Sequence, residues 1–337
     1  MTWSRVVSFA DPQPCQAAIQ GGQVEILPTA RGSFHVEITQ IRMNRLWMQR
    51  FNVVLPQIST VLIAPERKVV GFLTGPTSSN LQHCGMEVTC NDLLLPGFDM
   101  LHQRSESDLG YGSMSVPVKD FPDLCKAIIG REFLEDPAIT MVRPDPALMS
   151  RLLKLHKAVG QLAHDTPDVL ELPEVGRALE QQLIHLMVRC LAAGVAVETT
   201  TGERRHDAIM GRFEAFLEAH PNRPLYLTDI CGGIGVAERT LRAACEEHLG
   251  MGPIRYLTLR RMHLVRRALL REDSSNSTVT RTVTDHGFWE LGRFSVAYRE
   301  LFGESPSETL RRPGEPWESH RHRPASLLSD AVAELPH

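Results

Sequence analysis

Residues 279–306 read VTRTVTDHGFWELGRFSVAYRELFGESP. Phe294, Ala297, Tyr298 and Leu301 recur at the three- and four-residue steps of one helix face, so the spacing predicts an amphipathic helix over Glu290 to Phe302. Leu291, Gly292, Arg293, Ser295, Val296 and Arg299 fall on the outward side. A shorter helix is expected over Val279 to His286, with Gly287 as the break between the two. Helix, glycine turn, helix is the pattern of a helix-turn-helix unit. Such a unit places outward residues near the start of its second helix in the DNA major groove.

The same pattern occurs once before, in residues 227–245, LTDICGGIGVAERTLRAAC. Thr228 is the expected N-cap of its first helix, and Gly235 supplies the turn. Leu241, Ala244 and Cys245 face inward, which leaves Glu238, Arg239, Arg242, Ala243 and Glu246 outside. Any small α-hairpin shows this spacing, so one copy alone says little; two in tandem say more. Between them a helix is expected over Pro253 to Leu270, with Pro253 in its first turn and Arg260, Arg261, Arg266 and Arg267 along it. Upstream, Ile209, Phe213, Phe216 and Leu217 make a helical stripe that stops before Pro221.

Three fragments together are specific. They are Arg239-Thr-Leu-Arg242 followed by Gly250, Arg260-Arg-Met-His-Leu-Val-Arg-Arg-Ala-Leu-Leu270, and Gly287-Phe288 through Arg293-Phe294, Tyr298-Arg299 and Phe302-Gly-Glu-Ser-Pro306. Residues from about Ile209 to Leu310 thereby resemble the DNA-binding domain of the AraC/XylS family of transcription regulators. The resemblance implies seven helices, with two helix-turn-helix units on a rigid central helix. The chain departs from the family pattern at Ala237, where an N-capping Ser is usual, at Thr282-Val283, where an apolar residue and then Ala are usual, and at Val296, where Arg is common.

Charge is distributed in keeping with this. From Glu203 to Arg323 there are 19 Arg, no Lys and 17 Asp plus Glu, within a chain of net charge −4. Arg makes bidentate bonds to guanine edges and phosphates, which Lys cannot. The seven Cys form no CxxC pair, and free thiols suit a reducing cytoplasm. The first residues lack the apolar run of a signal peptide, and no stretch is long and apolar enough to predict a membrane span.

The N-terminal part reads differently. Phe34, Val36 and Ile38 alternate with His35, Glu37 and Thr39, and short apolar runs such as Val69 to Leu73 follow between Pro and Gly breaks. Many short strands with regular turns predict a small barrel or sandwich. Leu148, Leu152, Leu155 and Val159, then Leu179, Leu183, Leu186, Met187 and Cys190, form two helical stripes that either close on each other within the chain or pair across a two-fold axis. This region resembles, less specifically, the cupin-like sensing domains that precede such DNA-binding units. His35, His83 and His102 stand apart in sequence, so no metal site is expected. Pro14-Cys15 lacks the Cys-His-Arg continuation of a repair methyltransferase, and no Gly-x-Ser-x-Gly elbow occurs, so no catalytic residue and no cofactor is expected.

The expected fold is α+β. A cupin-like β-barrel covers 1–145, with its interior as the effector pocket. A helical dimerisation segment covers 146–198, a linker 199–208, the all-α DNA-binding domain 209–310 with helix-turn-helix units at 228–249 and 279–302, and a disordered tail 313–337. Base reading is expected from Arg239, Arg242, Ala243, Leu291, Gly292, Arg293 and Val296. Phosphate contacts are expected from Thr228, Arg260, Arg266 and Arg299, with internal ion pairs as the alternative for Arg260 and Arg266. Expected partners are double-stranded DNA, a small-molecule effector, a second copy of the chain and, for an activator, RNA polymerase, with no membrane. Two rivals remain at this stage: an enzyme built on the barrel with an inert helical appendage, and a protein-binding module. The paired units carry a geometric expectation. Footprinting should reveal two adjacent protected major-groove segments about 10 bp apart on one face of the duplex; a single short protected segment contradicts the pairing.

Overall fold

The computed structural model describes residues 2–75, 81–95, 100–133, 136, 139–220, 225–271 and 278–312. The expected tail, 313–337, lies outside the described residues. Thirteen strands are present among them: β1 (Trp3–Phe9), β2 (Gly22–Pro28), β3 (Val36–Arg42), β4 (Trp47–Val53), β5 (Gln57–Ile63), β6 (Arg67–Leu73), β7 (Leu81–His83), β8 (Met86–Val88), β9 (Leu93–Leu94), β10 (Leu101–Ser105), β11 (Leu109–Pro117), β12 (Met141–Arg143) and β13 (Val195–Ala196). The helices are α1 (Pro12–Ala18), α2 (Phe121–Ile129), α3 (Pro146–Asp165), α4 (Pro167–Glu171), α5 (Pro173–Ala192), α6 (Thr201–Ala219), α7 (Leu227–Ile234), α8 (Glu238–Leu249), α9 (Pro253–Arg271), α10 (Val279–Asp285), α11 (Leu291–Phe302) and α12 (Pro306–Arg311).

The strands form two antiparallel sheets, in the orders β1-β3-β4-β11-β6-β9-β12-β13 and β2-β5-β10-β7-β8. They share a core of Ile26 and Leu81 from the smaller sheet with Val36, Ile38, Val53, Leu73 and Leu109 from the larger. The result is a cupin-like, unclosed barrel on the α+β plan. Because strand side chains alternate between faces, each sheet also has an outer face. The larger sheet turns Met48, Val70, Phe72, Met114 and Val116 outward onto α2, α3 and α5. The smaller sheet turns Leu27 and Ile58 outward onto α6, α8 and α9. The molecule is therefore layered: helices, large sheet, small sheet, C-terminal helices.

This layering settles where the two helical stripes go. Leu152, Val159, Leu183, Met187 and Cys190 are all completely buried within the chain, packed on each other and on the large sheet. Of the two arrangements open to the stripes, closure within one chain is the one adopted by these five residues, while Leu148, Leu155 and Leu179 of the same stripes remain half-buried. Leu183→Glu would therefore report on folding rather than on association.

The stretch 199–208 is also not a linker along its length. Helix α6 begins at Thr201, held by a capping box in which the Thr200 hydroxyl accepts from the Glu203 N–H and the Glu203 carboxylate accepts from the Thr200 N–H. A Thr-rich run that reads as loop by composition is here the start of a helix. In α7 the N-cap is Tyr226, not Thr228, which sits inside the first turn. Gly235 and Gly287 have φ of 65° and 78°, the left-handed geometry a turn between helices needs.

Burial of histidines sets a pH dependence. His83, His248 and His263 have pKa values pushed down to about 4, mainly by burial. The unfolded chain protonates histidine near 6.5. Between that value and about 4 the unfolded state binds more protons than the folded one, so stability rises with pH through this window and is lost on acidification. Lowering the pH from 7 to 5 should remove roughly 1–2 kcal/mol per histidine. Denaturant titrations of the full chain at the two pH values measure it, and a His83→Gln/His248→Gln variant should have the flatter dependence.

Candidate nucleic-acid interface and the domain contact behind it

The first helix-turn-helix unit is built on α7 and α8. Leu241, Ala244 and Cys245 are fully buried against Ile209, Phe213 and Ile230, which fixes the rotation of α8. Arg239, Arg242 and Ala243 are thereby exposed together on its N-terminal half. Arg242 donates to Glu238 Oε1 at 2.9 Å across one helical turn. Both ends of that pair are about half exposed, so it is weak and readily exchanged for another anion. Ala237 occupies the N-cap without a side-chain acceptor. Thr228 is exposed in the first turn of α7.

The second unit is α10 and α11. Val283, Phe294 and Tyr298 form its core with Val265 and Leu269 of α9, and the Tyr298 hydroxyl bonds Thr309 Oγ1 at 2.9 Å. The bulkier Val283 is accommodated with no exposure. Leu291, Gly292, Arg293, Val296 and Arg299 are all exposed. Arg293 donates to Glu290 at 2.8 Å in another surface pair. Trp289, which sequence reading passed over, stands beside this helix start with 75% of its surface exposed. An aromatic ring left in water where the inward stripe does not need it is the signal that was available.

Helix α9 is where expectation and structure part. Arg260 pairs with Glu25 at 3.7 Å and Arg267 with the same carboxylate at 2.7 Å. Arg266 pairs with Asp11 at 2.6 Å and Glu304 at 3.5 Å. The His263 Nε2 donates to the Pro28 carbonyl at 3.1 Å. Glu25 and Pro28 lie on β2, and Asp11 caps α1. Thus Arg260 and Arg266 take the internal ion-pair alternative; as the chain stands here they do not face outward for phosphate. The physical reason is that α9 lies against the small sheet, which presents carboxylates to it.

A buried polar hub reinforces this contact. Glu214 of α6, 1% exposed, accepts from His102 Nε2 of β10 at 3.2 Å and from the Tyr256 hydroxyl of α9 at 2.8 Å. Burial pushes the Glu214 carboxyl up, but the His102 bond, the Arg260 charge and the Tyr256 bond more than reverse this, and its pKa falls below the ordinary value. Nearby, His206 of α6 bonds Glu247 of α8 at 2.7 Å, and the His102 and His248 rings lie 6.4 Å apart. His102, distant from His206 and His248 in sequence, is thus gathered with them at one domain contact. Among the described residues no group of three or more His, Cys, Asp or Glu has metal-binding geometry.

On the far side of the small sheet, between the two sheets, lies a cavity of about 110 Å³. Val24, Ile26, Val61, Leu101, Phe51 and Leu109 supply apolar wall, and Gln49, Gln57, Gln103, Ser59, Ser105 and Tyr111 supply polar positions. Strands read from the sequence at Phe34 to Ile38 and Val69 to Leu73 are expected to bound a barrel interior of this kind. Val36 and Val69 do line it, but most of the lining comes from β2, β4, β5, β10 and β11.

Comparison with known proteins follows the C-terminal geometry. A family described as "Helix-turn-helix domain" matches residues 230–312. The chain is 33% identical over 179 residues to the probable thc operon regulatory protein of Rhodococcus erythropolis, covering 50% of this chain and 54% of that protein. It is 33% identical over 99 residues to XylDLEGF operon transcriptional activator 2 of Pseudomonas putida, covering 29% of this chain and 63% of that one. The chain thus spans only part of the length of these curated relatives. Among solved structures, a probable AraC family transcriptional regulator from Rhodopseudomonas palustris is similar at 30% identity, over 31% of this chain and 96% of that one, with a TM-score of 0.28. With both helix-turn-helix units formed on α9 and those relatives alongside, the C-terminal part of the chain is a helix-turn-helix domain similar to those of AraC/XylS-type transcription regulators.

Proposed function

We propose that the chain is an effector-responsive, sequence-specific DNA-binding regulator that reads two successive major-groove segments. The observation that carries this is the joint exposure of Arg239, Arg242 and Ala243 on α8 and of Leu291, Gly292, Arg293 and Val296 on α11, each at the N-terminal half of a helix whose other face is buried. These are the base-reading candidates. Thr228 and Arg299, both exposed, are the phosphate candidates that the geometry leaves available. The effector is a small molecule held in the cavity between the sheets. The regulator acts in the cytoplasm, without turnover of substrate and without a membrane partner; no described helix is long and apolar enough to span one. A homodimer rests on the general preference for two-fold assembly, since the expected stripes are largely buried within one chain, and RNA polymerase is the partner if the protein activates.

The two reading heads differ. The first offers two guanidinium groups and the second one, Arg293, beside the methyl-reading Leu291 and Val296. Arg239→Ala or Arg242→Ala should cost about 1–3 kcal/mol on the cognate site and relax specificity under the first unit. A single-base substitution scan of the operator should find fewer tolerated changes under that unit. Equal tolerance in both half-sites, or a uniform loss from Arg242→Ala with specificity intact, contradicts the assignment.

The docking of α9 gives a second expectation. Glu25 neutralises Arg260 and Arg267 together. Glu25→Gln should free Arg267, while Arg260 keeps the Glu214 charge beside it. The substitution should raise affinity for non-specific duplex and steepen the slope of log K against log salt by about 0.9 per phosphate gained. Fluorescence anisotropy on a non-cognate duplex across a salt series measures this. An unchanged slope means that α9 does not approach DNA even when released.

A further inference from the structure

The cavity between the sheets has two features that together say what enters it. The first is the absence of charge. Among its described lining residues there is no Asp, Glu, Lys, Arg or His. Its titratable members are Cys15 and Tyr111, and burial pushes the Cys15 thiol up to about 12 and raises the Tyr111 phenol, so both stay neutral. Arg67 lies behind Ser115 and outside the lining. It donates to the Ser115 hydroxyl and carbonyl and to the Arg45 carbonyl, and stacks on Trp47. An ionised ligand group placed here meets no counter-charge, and an unpaired charge in such surroundings is strongly disfavoured.

The second feature is a pair of unmet polar atoms. Gln49 accepts from Gln20 and Gln40, and Gln103 donates to His83 and Tyr111. Gln57 Oε1 and Ser105 Oγ, by contrast, are buried with no hydrogen-bond partner among the described residues. Both residues line the cavity. They are cross-strand partners in the β5–β10 ladder, and directly opposed side chains sit about 5 Å apart at Cβ. One polar group in the cavity can therefore reach both. A buried acceptor and a buried hydroxyl left unbonded are a standing cost that a ligand donor and acceptor remove.

We propose that this cavity binds an uncharged, largely apolar ligand of about one ring's size, whose single donor–acceptor end bonds Gln57 and Ser105. The proposal rests on the reading of the chain as an effector-responsive regulator and narrows the effector to a chemical class: amides, alcohols or similar neutral molecules, not carboxylates or amines. The size follows from the cavity, about 110 Å³, on the scale of an apolar protein cavity of roughly 150 Å³ that takes benzene. The polar end lies against Gln57 and Ser105, and the ring against Ile26 and Leu81, which line the cavity at that level on the neighbouring strands β2 and β7.

Four probes of one size test this at neutral pH on the full chain by isothermal titration: benzamide, toluene, benzoate and benzylammonium. Benzamide should bind tightest. Benzoate and benzylammonium should bind at least about tenfold more weakly, and toluene, which leaves both polar atoms unmet, about tenfold more weakly. In Gln57→Leu/Ser105→Ala the preference for benzamide over toluene should vanish, because toluene then leaves nothing unsatisfied. If the double variant does not fold, Ser105→Ala alone should halve the logarithm of that preference. Benzoate or benzylammonium binding as well as benzamide, an unchanged preference in the variants, or no binding of any probe overturns the proposal. A duplex-binding assay on the same preparation keeps the two claims apart. DNA binding without probe binding refutes the ligand class alone, and probe binding without sequence-dependent DNA binding refutes the regulator reading instead.

Discussion

The small sheet is buried on both faces, and the rest of the molecule is arranged around that constraint. In β10, Leu101, Gln103 and Ser105 point into the cavity, while His102 meets Glu214 and Arg104 lies against Gly250 at the end of α8. In β2, Val24 and Ile26 face the cavity, while Glu25 holds two arginines of α9 and Leu27 packs into the helical core. In β5, Gln57, Ser59 and Val61 face inward and Ile58 outward. A strand has no room between these two sets of side chains. Whatever fills the cavity presses on the same backbone that carries the contacts to the DNA-binding helices.

Those contacts are electrostatic as much as apolar. Glu214 is ionised, buried and bonded by His102 and Tyr256, with Arg260 adding its charge. Such groups are expensive to bury, and removing one partner leaves the other uncompensated. The arrangement favours a single docking geometry over a set of sliding ones. It also pairs three basic residues of the central helix, Arg260, Arg266 and Arg267, with Glu25 and Asp11 of the N-terminal part of the chain. Phosphates and these carboxylates are chemically similar competitors for the same guanidinium groups.

Much of the C-terminal domain was legible in the sequence because its determinants are local. The helical periods ending in Phe294 and Tyr298, the left-handed glycines and the Arg-bearing outer faces all lie within one or two turns of each other. The alternation at Phe34 to Ile38 pointed to a strand for the same reason, but β3 begins only at Val36 and is buried on both faces rather than one. The start of α6 was local too, but the capping signal at Thr200 and Glu203 was outweighed by a composition that looks like loop. What sequence did not carry were the partners of distant residues. Nothing near Arg260 or Arg266 reveals that Glu25 and Asp11 come to meet them. Nothing near His102 reveals Glu214, and the stripes on α3 and α5 look the same whether a sheet of the same chain or a second copy covers them. The choice of Gln57 and Ser105 as unmet cavity atoms depends on a strand register that only the folded ladder fixes.

The two-sided strands also bear on how such a protein can diversify. Because alternate residues serve different tasks, substitutions at Leu101, Gln103 and Ser105 can retune the chamber while His102 and Arg104 keep their hold on the helices, and the reverse is equally open. On the proposed function, new effector preferences can thus arise by point changes without re-evolving the contacts to the C-terminal helices. Insertion or deletion of one residue in β10 has no such freedom. It would exchange the two sets at a stroke, putting an imidazole and a guanidinium into the chamber and leucine against Glu214. Within a lineage of such proteins, the lengths of these three strands should drift far less than their side chains.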